Sequence, residues 1–509
     1  VAHRRKGTRA PHLFLAVALG VAACTPLPAD LGRSQVIDQV RARGRPAEAV
    51  DPELVPTLVS ELSAAPLTAD RAMQIALINN PEIRAHYAKL GIAAADVYRA
   101  GRIRNPVFSA AVLDSNRAGD VSQNTYSLVV SLSDLITLPA RRRLAEAEFA
   151  IVQREIGAEL LQLAAKAEEA FYHFVTAKQV AAMRGQVARA ADLSRQLAER
   201  YFQAGNLTQR QLALENAAAA EAQINSLEAE NAAFAARTKL AAILGLSVAG
   251  DWDAPAQLAL PVAREDELRQ LLLLARENRL DLAAAIARTD RLADKLCYNN
   301  WRRWLGELDI GVEYERETDG ARLLGPTLEW EIPIFNQRGD RLLEVDAELQ
   351  KAISEVARLM LNTDNGVRLA YVGTQNARAR VEVYRTRLVP ARMEAVAQAQ
   401  LEENFMLIGT FELLLSKQRE YDAFQGYLQA LGDYWVARAA LAEAVGRRLP
   451  SSDSIALGAV DPHEYLHPAA GGMRGMDSAM PGARKEAGKL PPHHAEDAQE
   501  APEDAHRHH

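Results

Sequence analysis

From Pro139 to Ala204 the chain contains no interior proline. At 1.5 Å per residue a helix of that length extends about 100 Å, far beyond the diameter of a small globular domain. Within it Ile156, Leu160, Leu163, Ala167, Ala170 and Phe174 alternate spacings of four and three, the pattern of a coiled-coil seam. A second proline-free stretch, 206–245, reads as the returning helix. The same pair recurs as Gly339 to Leu407 and Thr410 to Val445, with Pro390 expected to bend the first member. Helices this long must lie against neighbours in an extended bundle. Composition agrees: aromatics are only 6%, and charged residues make up 25% with both signs interleaved. The net charge is −7 with acids and bases interleaved, so no nucleic-acid partner is expected.

The recurrence is a duplication with a period of about 200 residues. "LTADRAMQIALINNPEIRAHY" (67–87) is echoed by "REDELRQLLLLARENRLDLAAA" (264–285), each an amphipathic helix interrupted before a second apolar stretch. Residues 67–245 form the first repeat and 264–449 the second. Residues 246–263, with Pro255 and Pro261, link them, and 24–66 reads as an extended N-terminal segment.

Each repeat also carries short segments of strand periodicity. In "YSLVVSLS" Tyr126, Leu128, Val130 and Leu132 share one face, and Ser127, Ser131 and Ser133 the other. In "LDIGVEYERE" the apolar set is Leu308, Ile310, Val312 and Tyr314, against Asp309, Glu313 and Glu315. In "LEWEIPIF" it is Leu328, Trp330, Ile332 and Ile334, against Glu329 and Glu331. A fourth strand at 105–113 alternates poorly. The lengths and the apolar-out, polar-in alternation fit strands of an outer-membrane barrel, with two half-buried hairpins on a soluble domain as the alternative. Four strands cannot close a barrel, and lipid tolerates no unpaired backbone edge. Copies must therefore associate. Two would give eight strands whose interior side chains nearly fill, so a conducting pore needs at least three. The fold class is mainly α with a small β part: a long coiled-coil helical barrel plus a transmembrane β-barrel, four strands per chain.

The N-terminal "LFLAVALGVAAC" (13–24) follows Arg4, Arg5, Lys6 and Arg9 and is too short to span a bilayer. It reads as a signal peptide, 1–23. Val21-Ala22-Ala23-Cys24 resembles the bacterial lipobox, so covalent lipid on Cys24 is expected. Cys24 and Cys297 are the two cysteines, and acylation of one leaves the other without a disulfide partner. Thr25 stands where an Asp would signal inner-membrane retention, which favours the outer membrane.

Five stretches carry a resemblance to a known family. They are "NNPEIRA" (79–85) with its twin "NRLDLAA" (278–284), in which Leu280 replaces the usual proline; "IPIFNQRGDR" (332–341); "YFQAGNLTQRQL" (201–212); and "NFMLIGTFELLLSKQREYDAF" (404–424). In order, spacing and duplication the chain resembles the TolC family of outer-membrane efflux factors over residues 67–449, and the last stretch resembles its cation-efflux branch. The resemblance implies a homotrimer whose single twelve-stranded barrel continues into a helical tunnel through the periplasm. It implies a passive exit duct, joined by a periplasmic adaptor to an inner-membrane pump of the resistance–nodulation–division class. Heavy-metal cations such as copper, zinc, cobalt or cadmium are the expected substrates, and small organic toxic compounds the alternative. A structural periplasmic coiled-coil lipoprotein is the reading of a different class. No enzyme activity or cofactor is expected, since no Walker motif, nucleophile elbow or HExxH occurs.

The resemblance also assigns residues. Glu412 falls at an acidic position of the periplasmic gate, and Leu415 where a second acid often sits. Three copies of Glu412 around a narrow axis would repel one another or attract a cation. The turns near Gly205 and Gly409 belong at the periplasmic tip, making Ala204, Gly205, Asn206, Leu207, Ile408, Gly409 and Thr410 the candidate adaptor contacts. Ser127, Ser131, Asp309, Glu313, Glu329 and Glu331 would line the barrel lumen and favour cations. Arg141, Arg142 and Arg143 form a basic patch that is solvated or at the level of the inner headgroups. Residues 450–509 read as a disordered tail. It holds seven of the eleven histidines, His463, His467, His493, His494, His506, His508 and His509, interspersed with Met473, Met476 and Met480. These are weak candidates for metal capture.

Overall fold

The computed structural model describes residues 30–453 apart from 115, 118–120 and 256. Cys24, the signal segment and all seven tail histidines lie outside the described residues. The segment 24–66, expected to be extended, instead carries two helices, α1 (Arg33–Arg41) and α2 (Val55–Ser63). Val36 and Val40 of α1 are fully buried, so a short amphipathic stripe that was overlooked docks this segment on the body.

The first repeat begins with α3 (Ala69–Asn79) and α4 (Pro81–Ala100). The break between them is the "NNP" of the motif. Asn80 leaves helical geometry at ψ 129°, and Pro81 starts the next helix at the position where its missing N–H costs nothing. Strands β1 (Val107–Leu113) and β2 (Gln123–Ser131) follow, then α5 (Leu132–Gln203) and α6 (Gln209–Leu244). The second repeat has the same order: α7 (Leu268–Asn278), α8 (Leu280–Arg302), β3 (Leu308–Arg316), β4 (Arg322–Trp330), α9 (Gly339–Val383), α10 (Val389–Asn404) and α11 (Thr410–Val445).

Two element boundaries differ from the sequence reading. α5 starts at Leu132, not at Pro139, so Leu132 and Ser133 belong to the helix and not to the strand. Pro139 sits in the third turn, where it removes one hydrogen bond; Thr137 Oγ1 donates to Ser133 O at 2.8 Å in the turn before it. β4 ends at Trp330, so Glu331, Ile332 and Ile334 lie beyond it. Only the Glu331 amide prolongs the pairing, donating to Glu307 O at 2.8 Å.

The seam of α5 is buried along its whole length, from Ile156 to Phe174. Each of its large members contributes about 1.5–3 kcal/mol by leaving water. Around it pack α6, α4, α3, α8 and α11, with α9 on α8 and α11. The linker is strapped down. Arg237 of α6 donates to the carbonyls of Val248, Gly250 and Trp252, and the Trp435 indole donates to Ala259 O at 2.8 Å.

Equivalent corners of the two repeats close differently. Asn79 and Asn80 donate to Leu244 O and Ile243 O, both at 2.9 Å, capping the C-terminus of α6. In the second repeat Arg279 does this for α11, donating to Ala444 O at 3.0 Å. Four carbonyls at each helix end lack partners within the helix, and this pair of corners supplies some of them across about 165 residues of chain.

Candidate functional site

The strands form one antiparallel sheet in the order β1-β2-β3-β4, so the hairpins of the two repeats are joined through β2 and β3. The register aligns the side-chain alternation of all four strands. One face carries Phe108, Val112, Tyr126, Leu128, Val130, Leu308, Ile310, Val312, Tyr314, Leu324, Leu328 and Trp330. Phe108, Tyr126 and Tyr314 stack across three strands with centroids 6.4 and 6.2 Å apart. The opposite face carries Ser109, Ser127, Ser131, Thr125, Thr327, Asp309, Glu313, Glu315 and Glu329. Five of the six residues assigned to a lumen therefore share a face, and Glu331 follows the strand.

Asp309 and Glu329 are direct cross-strand neighbours, an unfavourable like-charge pair unless water or a cation screens it. Ser109 and Ser127 hydroxyls meet at 2.7 Å, and Gln123 donates to Glu315 at 2.5 Å. The apolar face is exposed over most of its area in the single chain, and β1 is exposed on both faces. A contiguous exposed apolar surface marks a face that meets another apolar surface, of protein or of lipid. No helix among the described residues is long and apolar enough to cross a membrane.

Where sheet meets helices, a buried carboxylate is held from both sides. Asp134 is almost wholly buried in the first turn of α5, where the helix dipole favours it. Arg104, in the segment leading into β1, donates to its two oxygens at 2.5 and 3.1 Å, and Arg141 lies 3.7 Å away. Arg142 pairs with Glu146. The run Arg141 to Arg143 is thus not a uniform solvated patch: Arg141 turns inward because a buried anion waits for it.

At the far end of the helices are two turns. Side-chain contacts between α5 and α11 run antiparallel, from Tyr172 with Trp435 to Arg184 with Asp422, so both turns lie beyond the same end of that pairing. Gly205 has φ 78° and ends α5, and Thr208 with Gln211 forms a capping box that starts α6. In the second turn the left-handed residue is Met406, at φ 59°, and not Gly409. Gly409 is extended and serves as the N-cap of α11. Phe405, Met406 and Leu407 are all strongly exposed there, beside the named Ile408, Gly409 and Thr410. Thr410 donates to Glu403 at 3.1 Å, and Glu412 is exposed in the first turn of α11. Phe405 to Leu407 escaped the sequence reading because an apolar run before a helix looks like core.

An arrangement of a two-faced, open-edged sheet at one end of helical hairpins about 100 Å long defines a class. The fold is that of the TolC-like outer-membrane channels. No family model matches the chain. It is 23% identical over 403 residues to the cobalt-zinc-cadmium resistance protein CzcC of Cupriavidus metallidurans, covering 77% of this chain and 93% of that protein. It is 26% identical over 345 residues to the protein CyaE of Bordetella pertussis, covering 60% and 69%. The structure of the CmeC outer-membrane channel of Campylobacter jejuni superposes with a TM-score of 0.62 at 13% identity, over 79% of this chain and 88% of that one.

Proposed function

We propose that the chain is the outer-membrane exit duct of a tripartite efflux system, working as a homotrimer with a periplasmic adaptor and an inner-membrane pump. The observation that carries this reading is the sheet: four strands, an apolar face, a polar face and two open edges. Three copies pair those edges into about twelve strands around a water-filled lumen, leaving no backbone group unpaired in lipid. The protein then performs no chemistry. It provides a path whose acidic lining, Asp309, Glu313 and Glu329, attracts cations.

Heavy-metal cations are the substrates we favour, on the acidic face of the sheet and the similarity to CzcC. The turns at 204–207 and 405–410 would meet the adaptor, and Glu412 would form the acidic ring at the gate. Cys24 would carry the lipid that fastens each subunit to the inner leaflet. The tail histidines would capture metal weakly before release.

Conductance of the purified full-length protein in planar bilayers tests the reading. Stable trimers that conduct with cation preference are expected; a monomer that leaves the bilayer silent would end it. Glu412→Ala is expected to change the dependence of conductance on pH and divalent cations, and unchanged traces would remove the gate ring. Sensitivity of a deletion strain to copper, zinc, cobalt and cadmium, against sensitivity to organic toxins, decides the substrate.

A further inference from the structure

The chain has five tryptophans, and burial divides them in two groups. Trp252 and Trp435 are 4% and 5% exposed within the helical body. Trp301, Trp304 and Trp330 are 50%, 54% and 51% exposed, and all three lie at the end of the sheet nearest the helices. Trp330 closes β4 on the apolar face. Its indole donates to Leu305 O at 3.0 Å, which holds the turn carrying Trp304 next to that face.

The charges at this rim are arranged around the rings. The Arg303 guanidinium lies over the Trp304 ring, 4.7 Å from its centroid. At the matching junction of the first repeat, Arg102 lies over Tyr98 at 3.9 Å. Both repeats thus place an exposed aromatic ring with an arginine on its face where a helix gives way to the first strand of its hairpin. Nearby cations are already committed: Arg99 to Asp96, Arg104 to Asp134, and Arg338 to Glu307 and Glu331. The guanidinium of Arg303 has no hydrogen-bond or ion-pair partner among the described residues, and neither has that of Arg302.

Indole and phenol rings settle at the boundary between water and hydrocarbon, with the apolar body in one and the polar edge in the other. Guanidinium donors match the oxygens of a phosphate. Resting on the channel reading above, we infer that this rim binds anionic phospholipid of the inner leaflet, its phosphate at Arg302 and Arg303 and its upper acyl chain against Trp304 and Trp330. The rim is continuous with the apolar face of the sheet and carries unpaired positive charge, which is what an anionic headgroup complements. Within the basic run most obvious in the sequence, Arg141 and Arg142 are spent on Asp134 and Glu146.

The distribution of tryptophans supplies the probe. The full-length trimer is reconstituted in vesicles containing phosphatidylglycerol or phosphatidylcholine brominated near the headgroup, at equal mole fraction, and tryptophan fluorescence is read. Trp301, Trp304 and Trp330 are expected to be quenched, and more strongly by the brominated phosphatidylglycerol. The double variant Arg302→Gln, Arg303→Gln is expected to lose that preference while still being quenched equally by both lipids. Where it fails to assemble, Arg303→Lys, which keeps the charge and loses the planar fork, is expected to weaken the preference. Quenching without preference in the wild-type trimer, or a preference that survives these substitutions, overturns the inference. Absence of quenching by both lipids overturns it too, because a neighbouring subunit would then cover the rim. Conductance of the same preparation separates the two readings: a conducting trimer without the preference loses only the lipid site, whereas a protein that neither inserts nor conducts loses the channel.

Discussion

Asn80 shows how much one side chain of a loop motif can hold. It accepts the Glu82 amide at 2.7 Å as N-cap of α4 and donates to Ile243 O at 2.9 Å at the end of α6. Asn80→Ala removes both bonds and leaves the half-buried Ile243 carbonyl without this partner. A loss of about 1–3 kcal/mol is expected, read as a lower urea midpoint at unchanged slope. Glu443 makes a different prediction. Its side chain reaches solvent, yet partial desolvation, with Glu169 nearby, pushes its carboxyl above the ordinary glutamate range. The unfolded chain ionises near pH 4.3, so between that value and the raised native one the fold holds a proton that the unfolded chain has lost. Stability therefore falls as pH rises through that window, and the penalty is complete above it. Glu443→Gln is expected to raise the melting temperature at neutral pH and to bring no gain below the ordinary range. An equal gain at both would show that charge is not the cause.

At the scale of elements, the long helices are legible because periodicity is a local property. The seam from Ile156 to Phe174 and the bounds of α11 follow from spacing and from the glycines at its ends. The irregular turn before Pro390 does not. Tyr384–Leu388 forms a π-helical turn between α9 and α10, placed one turn ahead of the proline whose missing N–H was expected to bend the helix. Its Tyr384 ring lies where a Cβ on Gly426 of α11 would stand, at 2.5–2.8 Å. Gly426→Ala is therefore expected to destabilise the contact between these helices by about 1–3 kcal/mol, visible as earlier thermal loss of helicity. Substituting the smaller Phe for Tyr384 in the same chain removes the nearest atom, the hydroxyl, and is expected to restore part of the loss.

For the whole molecule, the sheet predicts opposite responses on its two faces. Leu324→Arg puts a charge on the apolar face, which costs about 2–4 kcal/mol per copy near the bilayer midplane. Trimer yield in the membrane fraction is expected to fall steeply. Glu313→Gln, on the polar face, is expected to leave yield unchanged and to reduce cation preference, measured as a shift of reversal potential in a salt gradient. Equal loss of yield from both would mean that neither face meets lipid.

The sequence alone determined the duplication, the helical hairpins and the alternation of β2 and β3, because these depend on residues a few positions apart. From the sequence it also follows that such strands, if placed in lipid, would need copies of themselves, since an unpaired edge there is forbidden whatever the rest of the chain does. Only the tertiary structure decided which charges are available. Arg104 and Asp134 lie 30 residues apart, Asn80 and Ile243 lie 163 apart, and no local pattern announces that either pair will meet. It likewise joined the two hairpins through β2 and β3, turned Arg141 inward, docked α1 on the body and put the left-handed residue at Met406 instead of a glycine. Each of these depends on surfaces from distant segments desolvating one another, and that free energy exists only once the chain has folded.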